Sequence, residues 1–215
     1  TDVLESISGT TGGVLTGAAS FSTDAPVLST GIDNNGSMDI KGGGALMTSP
    51  FIFHDASAGG AEGDATLEWF QKVPGPHPHT SIFWTRENTN PDANRFNIYY
   101  NANFTNIDGS DDFVNGDQRD PTGQIGDIGV ASGGIALPHG FWYSMHITRT
   151  LLAGGNGGAN GPAVPPTYEW NWYINGLHNP DQTIVTNLIQ PTTVFWQISG
   201  RDGFASDMLI DEIHG

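Results

Sequence analysis

The sequence predicts an all-β chain, an antiparallel β-sandwich, on three observations. Apolar residues recur at every second position, the period of a strand, rather than at the roughly 3.6 of a helix. Glycine stands at 30 of 215 positions and proline at 13, cutting the chain into short segments. Charged residues make up only 14%, too few for the solvent-facing sides of helices, which are rich in Lys, Glu and Arg. No self-similarity at a period of about 20–50 residues is visible, which argues against a solenoid or propeller. A single domain of this length buries roughly 70% or more of its unfolded surface and needs no covalent staple. None is on offer, because cysteine is absent.

Residues 1–26 form a zone of their own, small, Thr/Ser/Gly-rich and uncharged between Glu5 and Asp24. Its β-capable patches at 3–7, 13–15 and 19–21 are separated by glycines, so it reads as a strand-forming arm ahead of a domain at 27–215. Asn34-Asn35-Gly36 and Gly42-Gly43-Gly44 are turn signals around a short strand at 37–40. Residues 65–73 alternate, with Leu67, Trp69, Gln71 and Val73 on one face and Thr66, Glu68, Phe70 and Lys72 on the other. After a proline-rich loop come strands at 81–85 and 96–101. Residues 102–138 read as one long Asp- and Gly-rich loop, and strands at 141–149, 167–174, 194–200 and 208–214 complete the set. In 167–174, Tyr168, Trp170, Trp172 and Ile174 share the core-facing side and Glu169, Asn171 and Tyr173 the other. The strand runs into Asn175-Gly176, the residue pair of a type I′ turn.

Charge excludes several functions. Seven Lys+Arg against 23 Asp+Glu give a net charge of −16, so no basic face exists to displace counterions from nucleic acid or to hold an anionic membrane. No run of 18 apolar residues is present to insert into a bilayer. The chain opens at Thr1 without a charged-then-apolar leader and reads as a processed mature segment. With its cysteine-free composition, the expectation is a secreted, extracellular prokaryotic protein.

The C-terminal half carries an ordered set of motifs. Trp142-Tyr143-Ser144-Met145-His146-Ile147-Thr148-Arg149 resembles the W-[YH]-x-[VI]-x-[IV]-[TV]-R strand of laminin G-like domains, with Met145 where Val or Ile is usual. Trp170-Asn171-Trp172-Tyr173-Ile174-Asn175-Gly176 is similar to that family's hairpin. Ile198-Ser199-Gly200-Arg201 is similar to its I-G-G strand end, and Leu209-Ile210-Asp211-Glu212-Ile213 to its closing strand. The resemblance covers about residues 37–215 and implies a concanavalin A-like jelly roll of two curved antiparallel sheets with a loop-lined concave face.

Candidate chemistry is thin. The loop holding Asp108, Asp111, Asp112, Asp117 and Asp120, with Asp127 beyond, supplies the hard oxygen ligands that suit Ca²⁺. An EF-hand register from Asp108 puts Phe113 where glycine is needed and lacks the closing Glu, so that motif is excluded. Laminin G-like domains often bind one calcium at a loop edge, which the resemblance extends to this loop; a solvated acidic loop is the competing reading. Glu62, Asp64 and Glu68 resemble the carboxylate series of jelly-roll glycosidases with one residue too many. Positions 62 and 68 of an extended strand stand about 20 Å apart, against the roughly 5–5.5 Å of a retaining pair. His77-Pro78-His79 has metal-strand spacing but sits in a polyproline-like loop. His54, His139, His146, His178 and His214 are isolated in sequence, and no G-x-S-x-G nucleophile motif occurs. Two N-x-[ST] triplets, at Asn35 and Asn103, match by chance frequency in so Asn-rich a chain.

The functional expectation is therefore a noncatalytic extracellular module that binds a cell-surface or matrix partner, foremost a glycan, through exposed aromatics and Asn/Asp side chains. The alternative is a self-assembling subunit of a filament, sheath or surface layer, in which Val3, Glu5 and Ile7 of the arm set the register against a neighbouring copy. A glycoside hydrolase is a remote third.

Overall fold

The computed structural model describes residues 13–28, 36–47, 64–75, 80–85, 95–101, 113–119, 125–127, 137–155, 164–186, 196–199 and 208–214. They form two seven-stranded sheets with no helix among them. Numbered in chain order, the first sheet runs Gly13–Gly17 (β1), Gly43–Met47 (β4), Trp196–Ser199 (β13), Thr80–Thr85 (β6), Arg95–Asn101 (β7), Phe113–Arg119 (β8) and Ile125–Asp127 (β9). The second runs Leu177–Thr186 (β12), Val164–Ile174 (β11), Trp142–Gly155 (β10), Ala65–Lys72 (β5), Leu209–His214 (β14), Ser37–Asp39 (β3) and Ser20–Ser22 (β2). Each neighbouring pair is antiparallel. The fold is an antiparallel β-sandwich of the jelly-roll type, as the sequence predicts.

Alternation decides which side of each strand is buried. Leu67 and Trp69 of β5, Met145 and Ile147 of β10, and Tyr168, Trp170 and Trp172 of β11 are all at most 1% exposed. They meet Phe83, Ile98 and Ile198 of the first sheet in one core. Trp69 packs edge-on against Phe83, ring centroids 5.0 Å apart at 83°, and this contact joins the two sheets. Fully burying such side chains contributes about 1.5–3 kcal/mol each before entropy is counted. The polar side chain on the inward face of β5 is Gln71, which accepts a hydrogen bond from Trp69 Nε1 at 2.8 Å while its Nε2 meets no partner among the described residues.

The turn at Asn175-Gly176 forms as its residues dictate, with φ of 50° and 76°. Asn175 also ties down the neighbouring strand: its amide donates to the Ser144 carbonyl at 2.8 Å, and its Oδ1 accepts from the Ser144 amide at 3.0 Å. The described part of the N-terminal zone pairs within the chain. β1 pairs with β4 and β2 with β3, so the ribbon β1–β2 against β3–β4 turns a corner from one sheet into the other. Gly42 makes the expected turn, at φ 66° with the Gly43 amide donating to the Ile40 carbonyl at 3.0 Å, and Gly43 and Gly44 run on into β4, where the corner leaves no room for a side chain. A Cβ at Gly43 would lie 2.2 Å from the Thr16 carbonyl oxygen.

Two expectations need correction. Residues 102–138 are not one loop: β8 and β9 lie inside them. Their Asp- and Gly-rich text lacks apolar alternation, yet main-chain pairing with β7 requires none. β12, absent from the expected strands, holds Pro180 within it. It stands at the edge of its sheet, where proline is tolerated.

Candidate functional site

If the odd positions of β5 face the core, the even ones face outward, and register carries this rule across the sheet. Glu68 pairs with His146, His146 with Tyr173, and Tyr173 with His178. His214 of β14 pairs with Glu68 on the other side. Residues from five strands and four distant stretches of sequence thereby fall in one transverse row. Ser144, Phe70 and Asp211 form the row on one side of it, and Asn171, Thr148 and Thr66 flank it on the other.

The row is packed ring against ring. The Tyr173 ring lies 5.0 Å from that of His146 and 5.1 Å from that of His178, tilted by 35° and 36°. Tyr173 thus stands between two imidazoles, one from each neighbouring strand. His146 Nδ1 stands 3.4 Å from Glu68 Oε1. His146 Nε2 has no hydrogen-bond partner among the described residues and no solvent access. Beside it, Asn171 Nδ2 donates to Glu169 Oε1 at 2.9 Å, which leaves Asn171 Oδ1 to accept from His178 Nε2 at 3.1 Å. That pairing fixes the proton of His178 on Nε2. Phe70 supplies a different surface, an outward ring whose cross-strand neighbours are the small and polar Ser144 and Asp211.

One end of this face is walled by the segment after β2. The Asp24 carbonyl accepts from Ser37 Oγ of β3 at 2.5 Å, while its carboxylate takes Lys72 Nζ of β5 at 2.5 Å and Trp142 Nε1 of β10 at 2.9 Å. The chain therefore passes over the outward side of the sheet as a strap. It explains why Leu209, outward by alternation, is only 6% exposed, and Ser37 only 3%. The lysine bond, then the Trp142 bond, holds the Asp24 carboxyl below its ordinary range. Tyr143, by contrast, is raised by burial, with its hydroxyl donating to the Pro138 carbonyl at 3.1 Å.

The predicted site residues fare differently. Asp108, Asp111, Asp112 and Asp120 lie outside the described residues, as do Val3, Glu5, Ile7, Glu62, His54, His77 and His79. Asp117 sits in strand β8 rather than a loop, in register with Asn97 and with Asp127 of β9. No group of three metal-ligating side chains occurs among the described residues. Asp64 is engaged as an acceptor for the Leu151 amide at 2.9 Å. The histidines at 146, 178 and 214, isolated in sequence, are brought to one row by register. Sequence reasoning missed this gathering; the outward positions of the two aromatic strands were its only visible signal.

No known family model matches the chain, and no curated protein matches it. Solved structures do. The fold is shared with botulinum neurotoxin type C, whose cell entry depends on interaction with two ganglioside molecules, at 11% identity and a TM-score of 0.52 over 96% of this chain and 43% of that one. The alginate lyase vAL-1 from Chlorella virus aligns at 10% identity over 94% and 90% of the two chains, with a TM-score of 0.49. The carbohydrate-binding module CBM66 from Bacillus subtilis aligns at 12% identity over 93% and 94%, with a TM-score of 0.39. At these identities the likeness is one of fold alone. No helix among the described residues is long and apolar enough to cross a membrane.

Proposed function

We propose that the chain is a noncatalytic glycan-binding module, and that its site is the outward face of β5, β10, β11 and β12. The carrying observation is the cross-strand row Glu68–His146–Tyr173–His178 with Asn171 beside it. It sets hydrogen-bonding groups about 4.8 Å apart from strand to strand, a spacing suited to the hydroxyls of successive sugars. Carboxylates and amides held by their neighbours bind such hydroxyls with little ordering cost. Phe70 adds an apolar patch for a sugar's C–H face. The laminin G-like motif order and the sugar-binding proteins among the structural neighbours support the reading, with the extracellular surface as the place of action. Asp64 and Glu68 are engaged with the Leu151 amide and with His146, which favours binding over acid–base hydrolysis.

Filament assembly through Val3, Glu5 and Ile7 is the alternative; those residues lie outside the described ones, while Gly13–Gly17 already pairs with β4 of the same chain. A glycan array probed with the native protein tests the main reading. Saturable binding that Asn171→Ala weakens at least about tenfold, a loss of roughly 1.4 kcal/mol, supports it. Release of shortened or unsaturated oligosaccharides from any bound glycan contradicts the noncatalytic part, and polymers in electron micrographs of native material favour the alternative.

A further inference from the structure

We infer that this face selects uncharged glycans and rejects polyuronates and sulfated chains. The inference rests on the glycan-binding reading and deepens it to a ligand class. The outward side of the second sheet and its strap carry the carboxylates of Asp24, Asp39, Asp64, Glu68, Glu169 and Asp211. Two lysines are described on that side: Lys72, whose ammonium is held by Asp24, and Lys41, which lies past the end of β3 with its amide donating to Asp39 Oδ1. Arg149, the nearest arginine along β10, points inward instead, 3% exposed, with its guanidinium 4.7 Å from the Tyr168 ring centroid. The imidazoles of His146 and His178 are turned to Glu68 and to the Asn171 carbonyl oxygen. A uronate or sulfate laid along the row from Glu68 to His178 meets carboxylates and neither lysine nor arginine, so its charge is desolvated without a partner.

The same carboxylates suit a neutral sugar. Each oxygen accepts hydrogen bonds from hydroxyls, and a carboxylate can take two vicinal hydroxyls at once. The chain's −16 charge extends the bias beyond contact range by lowering the encounter rate of any polyanion. Alginate is therefore a poor ligand for this chain, although a structural neighbour is an alginate lyase.

Isothermal titration with gluco-, xylo-, manno- and galacto-oligosaccharides on one side, and alginate, polygalacturonate and chondroitin sulfate oligomers on the other, decides the matter. The expected result is saturable binding of a neutral oligomer that changes less than about twofold between ~20 and ~300 mM salt, as screening leaves an uncharged ligand unaffected. Anionic oligomers give no saturable binding to the native protein. In the doubly substituted Glu68→Lys, Asp211→Lys protein the neutral ligand weakens at least about tenfold and alginate binding emerges, strongest at low salt. Native protein that binds an anionic oligomer as tightly as any neutral one, more tightly as salt falls, overturns the inference while leaving glycan binding intact. Neutral binding that the double substitution leaves unmoved overturns the placement on this face. Absence of binding to every oligomer ends the glycan reading itself, and this inference with it.

Discussion

The two sides of β10 and β11 are made from the same strands, one residue out of step, and they obey different rules. On the inward side Met145, Ile147, Tyr168, Trp170 and Trp172 are fully buried, and each is placed by its own strand's alternation. On the outward side His146, Thr148, Asn171 and Tyr173 are placed by that alternation too, but what they do depends on which strands lie next to them. A core position needs only to be apolar and inward. A site position needs a particular neighbour, and the neighbour of His146 is Glu68, 78 residues away in the sequence.

This difference sets what was legible in the sequence. Trp69, Trp170 and Trp172 were readable as core because a period of two is a local signal. Asn175-Gly176 was readable as a turn because positive φ favours those residues locally. The row of His146, Tyr173, His178 and Glu68 was not, since register between β5, β10, β11 and β12 is a long-range property with no mark at any one position. β8 escaped for a related reason: its pairing with β7 is made by main chain, which leaves no trace in side-chain pattern.

Substitutions can separate the two sides, and the largest effect belongs to the core. Trp69→Ala removes the edge-on contact with Phe83 and strands Gln71 Oε1, so it should destabilise by about 3–5 kcal/mol in urea unfolding. The outward Thr148→Ala in the adjacent strand should stay within about 0.5 kcal/mol of the native protein. Equal losses would erase the contrast.

The turn between β11 and β12 comes next. Asn175→Ala keeps φ at 50° without the asparagine side chain that tolerates this region, and removes the acceptor for the Ser144 amide, a predicted loss of about 1–2 kcal/mol. Asn175→Gly keeps the conformation and loses the side-chain bond, so it should cost less; the order of the two midpoints in denaturant is the check.

The strap gives the smallest effect and carries a sign. Asp24 is held below its ordinary value by Lys72 and Trp142, so the folded state favours its charged form. Its contribution is complete above the unfolded carboxyl's value near 3.8 and is lost as pH falls through the lower folded value. The pair is 19% and 43% exposed on its two sides, so solvent screening limits it to about 1 kcal/mol or less. Asp24→Asn should lower the melting temperature at neutral pH and converge with the native protein at the acid end. A gap that widens toward acid would contradict the assignment.

The outward row binds a ligand in this reading while the inward row holds the fold, and a double substitution measures both at once. Tyr173→Ala with Glu68→Ala removes the middle and one end of the row without touching the core. Calorimetric affinity for the best neutral oligosaccharide should fall at least about tenfold, roughly 1.4 kcal/mol, while the unfolding free energy moves by less than about 1 kcal/mol. Full affinity retained by that protein, or affinity lost only in step with stability, would contradict it.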